Sequence, residues 1–169
     1  MTQYRFHNYK RPLVSKDENQ RLVGLFKPGR LKGFDTLVAT GSLTFNITHA
    51  ASGVTRVTAG VTPAESAIYG VALTRQGTVV QDDGLISLTM VTNAGLPLRY
   101  DLIIMSHNHT ETPGGTAATY SIVEDIAFDG DGLPIVPNPL TDTALGWLTI
   151  PANATTLTSV VYTPAYSTI

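Results

Sequence analysis

The chain has 169 residues, 43% of them hydrophobic and 14% charged, with no cysteine and a net charge of -2, a length that fits one compact domain plus a tail. Without cysteine there is no disulfide framework, Cys-based zinc site or thiol nucleophile, and a body of this size folds without such staples. The near-neutral total argues against nucleic-acid binding, no apolar run approaches the ~20 residues of a membrane span, and Met1 to Arg11 lacks the apolar stretch of a secretory signal, so a soluble protein is expected.

Residues 1–35 form the first unit. They hold eight of the eleven basic groups against three acids, +5, whereas residues 36–169 hold three basic groups against ten acids, -7. Aromatic and apolar residues (Tyr4, Phe6, Tyr9, Leu25, Phe26) recur without a helical or strand period, and Pro12, Gly24, Pro28, Gly29 and Gly33 interrupt them. Ser15 followed by Glu18 has capping-box spacing and predicts a short helical turn over 15–21. A segment this rich in aromatics has no core of its own, which predicts an extended arm ordered by docking on a partner. The expected docking residues are Tyr4, Arg5, Phe6, Tyr9, Lys10, Arg11, Leu25, Phe26, Lys27 and Arg30, with charge steering the arm toward acidic neighbours.

From Thr36 onward the pattern alternates with period two, as in Leu43, Phe45 and Ile47 set between Thr44, Asn46 and Thr48. Further strands are expected over about 54–61, 68–74, 77–82, 85–91, 98–106, 117–124, 144–150 and 156–163, separated by turn residues such as Asp83-Gly84, Asn93-Ala94-Gly95 and Pro113-Gly114-Gly115. Eight or nine short strands at this spacing predict an all-β body over residues 36–169, a single β-sandwich or irregular barrel. A short helix around 63–69 is the one departure allowed for. Residues 128–140, with three prolines and two glycines, read as an extended strap over the body or a neighbour.

Chemistry-bearing constellations are few. His107 and His109 share a face if the strand continues through them, a spacing that gathers imidazoles around a metal in trimeric fibres, but here a turn follows and surface imidazoles are expected. Asp129-Gly-Asp131-Gly132 resembles a calcium loop without its closing glutamate, and reads as a turn. Glu124-Asp125 has no basic or histidine companion nearby in sequence. No nucleophile elbow, phosphate loop or metal triad is present, so neither catalytic residues nor a cofactor or metal is expected.

Three stretches carry a resemblance: the R-x-D strand and histidine segment of Leu98 to Thr110, the Gly114-Gly115-Thr-Ala-Ala-Thr-Tyr120 strand, and Leu145 to Asn153 ending in Ile-Pro-Ala-Asn. Over about residues 76–163 the chain resembles structural proteins encoded among the tail and baseplate genes of tailed phages. That resemblance implies a non-enzymatic virion protein of the phage tail, a tail or baseplate subunit or fibre adaptor, assembled in the host bacterial cytoplasm. The expected partners are other virion proteins and further copies of the chain, with no nucleic acid and no membrane. Two alternatives stand beside it: a capsid decoration or head-fibre protein, and a glycan-binding β-sandwich module.

Overall fold

A computed structural model describes residues 28–48, 70–75, 79–82, 86–107 and 118–165. Their elements are β1 (Gly29–Gly33), β2 (Thr36–Ala39), β3 (Thr44–Thr48), β4 (Gly70–Leu73), β5 (Val79–Asp82), β6 (Ile86–Thr89), β7 (Arg99–Ser106), β8 (Thr119–Val123), β9 (Asp142–Ile150), a 3-10 turn (Leu157–Ser159) and β10 (Val161–Pro164). All pairings are antiparallel, in three sheets ordered β1-β4-β5, β10-β9-β7-β8 and β2-β3-β6. The margins meet, β6 beside β8 and β10 beside β2, so the four-stranded sheet and the β2-β3-β6 sheet close on one another as a sandwich-like all-β body.

Alternation explains most of the core. Phe45 and Ile47 lie opposite Leu88 and Ile86, and all four point inward. Ile103 and Met105 of β7 meet them from the facing sheet, with Leu145, Leu148 and Ile150 of β9. Leu145 and Leu148 are three apart and would point to opposite faces of a regular strand. Both are buried in the same core because β9 bulges: Ile103 pairs with Gly146 and Ile104 with Ala144, leaving Leu145 as the extra residue.

The expected division at residue 35 falls inside the body. β1 pairs with β4, with a register shift at Leu31, and Phe34 behind it is completely buried in the core. Gly33 and Phe34 both take left-handed backbone (φ 65° and 50°), unusual for phenylalanine, which turns the chain and drives the Phe34 ring inward. The ring occupies the space a side chain at position 70 would need: a Cβ on Gly70 would fall on its carbon atoms. From the other side, the Tyr162 hydroxyl donates to the Phe34 carbonyl at 2.6 Å and lies 3.2 Å from the Leu145 carbonyl. Gly146 lets that tyrosine approach, since a Cβ there would sit 2.5 Å from its ring.

The strand expected over 156–163 is two pieces. Thr156 caps the 3-10 turn with its hydroxyl, Leu157 drops into the core, and β10 starts only at Val161. The expected helical segments at 15–21 and 63–69, and the strand at 54–61, lie outside the described residues.

Candidate docking surface

Of the ten expected docking residues, Tyr4, Arg5, Phe6, Tyr9, Lys10, Arg11, Leu25, Phe26 and Lys27 lie outside the described residues. Arg30 is described, and its place corrects the expectation: it is 3% exposed, its guanidinium donating to the Gly33 carbonyl and, at 3.3 Å, to the Ala165 carbonyl. A cation used inside the body is not available to a neighbour, so the candidate arm shortens to residues 1–27. That segment holds six basic against two acidic groups, +4, and residues 28–169 hold five against eleven, -6.

The motifs of the resemblance build the body. Arg99 and Asp101 share the inner face of β7, as their spacing requires, where they are buried and pair with each other. Asp101 oxygens lie 2.8 and 2.9 Å from the Arg99 Nε and Nη2, a two-pronged contact, and Nη2 also reaches the Val91 carbonyl at 2.9 Å. The companion that Glu124 lacks in sequence is supplied by folding, with Arg99 Nη1 3.4 Å from its carboxylate. The Asp125 amide donates to Asp101 at 3.0 Å, and Asp125 itself takes a left-handed turn (φ 53°). The Ile-Pro-Ala-Asn turn clasps the turn at 93–96. Asn93, fully buried, donates to the Pro97 and Pro151 carbonyls, while Asn153 accepts from the Gly95 amide.

The candidate metal residues have plainer duties. Asp129 accepts from the Asp131 and Leu133 amides at 3.0 and 2.9 Å, holding its own hairpin tip. His107 follows β7 directly, is buried, and is held through its amide to the Thr141 carbonyl; His109 lies outside the described residues. Among the described residues no three His, Asp or Glu side chains come together as a metal site.

The strap is where the body presents itself. It is pinned at its start by the Ile126 amide on the Tyr100 carbonyl, and at its end by Asp142, which accepts from the Ser106 hydroxyl at 2.7 Å and the Asn138 amide at 3.1 Å. Between these points Phe128 stands edge-on to Tyr100 and Trp147, with centroids 5.2 and 5.6 Å away, on the face of β7 and β9 opposite the main core. Trp147 is half-buried beneath this cover. Beyond Phe128, Pro134 and Val136 are half-buried, but Leu133, Ile135 and Leu140 are exposed, Leu140 to 67%. The surface is acidic as well, because no Lys or Arg follows Arg99 while seven Asp and Glu do. Four of them, Glu124, Asp125, Asp129 and Asp131, are exposed within twelve residues of the strap hairpin.

An all-β sandwich-like body with an acidic, partly apolar strap is thus the class that fold and surface define. Comparison with protein-family models, with curated proteins and with solved structures gives no match to this chain.

Proposed function

We propose that the chain is a non-enzymatic structural protein of a tailed-phage virion, a tail or baseplate subunit or fibre adaptor that attaches to other virion proteins through residues 1–27. The observation that carries this reading is the use made of its most distinctive side chains. Arg99, Asp101, Asn93 and Asn153 engage one another and the backbone, so the motifs that resemble phage tail proteins serve architecture. The charge division between residues 1–27 and the body supports assembly between chains, since opposite potentials on two parts of one protomer draw protomers together. Burying aromatics such as Tyr4, Phe6 and Phe26 on a partner is worth roughly 1.5–3 kcal/mol each before ordering costs.

Deletion of residues 1–27 tests the reading. The cut must stop there, because removing Arg30 or Phe34 would dismantle the body itself. The truncated protein is expected to melt cooperatively at the full-length temperature and to be left out of particles assembled in its presence. Normal incorporation of the truncated protein would refute the docking role.

A further inference from the structure

On the docking reading just given, we infer that the strap hairpin of residues 124–135 is the receptor for residues 1–27 of a neighbouring copy. Three observations meet there. The hairpin carries four exposed carboxylates, Glu124, Asp125, Asp129 and Asp131; Arg99 touches Glu124 at 3.4 Å but is already paired with the buried Asp101, and no Lys or Arg follows later in the chain, so the hairpin keeps a formal charge of -4 against the +4 of residues 1–27. The same hairpin exposes Leu133 and Ile135, and Leu140 lies just beyond it, which gives aromatic side chains an apolar floor beside the acids. The floor is also pre-formed: the Leu133 amide on the Asp129 carboxylate, the Asp129 amide on the Leu133 carbonyl, and the Phe128 ring against Trp147 fix its shape, so a docking segment would bear most of the ordering cost itself.

Reach permits a neighbour's strap. Twenty-seven residues extended span up to ~90 Å, against ~40 Å for a body of this length, so the segment can cross to the next protomer. Charge provides the steering and the aromatics the holding, which makes the contact sensitive to salt once the Debye length falls below ~10 Å.

The test uses the full-length protein. A photo-cross-linking residue replaces Leu133, an exposed position, in an equal mixture of light and heavy-isotope chains. Cross-linked peptides joining position 133 to residues 1–27 are expected, with light–heavy pairs as frequent as random mixing dictates. The variant Asp125→Asn/Asp129→Asn/Asp131→Asn keeps the left-handed residue and the side-chain turn, since asparagine supports both, and should weaken self-association in sedimentation roughly tenfold. Ile135→Ser/Leu140→Ser should weaken it by a similar factor. Cross-links only within one isotope, cross-links to other parts of the body, or a full-length chain that stays monomeric at every concentration would overturn the inference. If the asparagine and serine variants associate normally while deletion of 1–27 abolishes incorporation, the strap assignment falls and the docking reading stands. If that deletion has no effect on either, both fall.

Discussion

Residues 28–35 and residues 124–140 look alike as text, since both mix proline, glycine, charge and scattered apolar side chains, yet the body treats them in opposite ways. The first is stitched into a sheet and sends Phe34 to the centre of the core; the second is pinned at its two ends and leaves Leu133, Ile135 and Leu140 facing outward. What separates them is the availability of a complementary space. Gly70 and Tyr162 make a slot and a hydrogen-bond donor for the Phe34 region, whereas on the sheet face under the strap Tyr100 and Trp147 are already covered by the strap's own Phe128. A similar mix of proline, glycine and apolar residues therefore yields a structural element in one place and a presented surface in the other.

Substitutions can break this contrast, beginning where the strap is tied to the core. Asp101→Ala leaves Arg99 buried without its main partner and frees the Asp125 amide, and should cost about 3–5 kcal/mol in equilibrium urea unfolding. A stability loss below 1 kcal/mol would show that the pair is dispensable. Phe34→Ala should cost a similar 3–5 kcal/mol through the cavity it opens, and hydrogen exchange should then accelerate in β1 and β4 more than in β7. Gly70→Ala approaches the same slot from the opposite wall. It should lose about 1–3 kcal/mol by overpacking, and the double variant with Phe34→Ala should recover part of that loss. Tyr162→Phe removes only the hydroxyl that reaches the Phe34 carbonyl, for about 1 kcal/mol by thermal or chemical denaturation. Smallest of all, Ile135→Ser or Leu140→Ser should change stability by less than ~0.5 kcal/mol; a larger loss would place the strap with the core.

How much of this could be read in advance follows from the reach of each interaction along the chain. Alternating Phe45 and Ile47, or Ile103 and Met105, announce their strands because burial of one face is written at every second residue. β1 carries no such signal: Arg30 is buried by partners at Gly33 and Ala165, and an arginine between Gly29 and Gly33 reads as arm. The same blindness hid the ion pair of Arg99 with Asp101 and its tie to Glu124, because sequence shows that two side chains share a face without showing that the face is covered. Leu145 and Leu148, three apart, held a clue to the bulge in β9. The charge contrast between the first residues and the last was legible throughout; where the basic unit ends was not, because Phe34 is apolar in either role.

The bonds of Tyr162 to Phe34 and of Arg30 to Ala165 join residues 128 and 135 positions apart. Contacts this distant close very long loops, and their entropy must be met before they return anything, which places such bodies among slow folders. During synthesis the slot between Gly70 and Phe34 has no lid until β10 has been made, so the β1–β4 edge stays open while the rest of the chain is added. Folding of this body is therefore expected to finish in one late, concerted step, and a nascent chain halted before Tyr162 would expose Phe34 to whatever lies nearby.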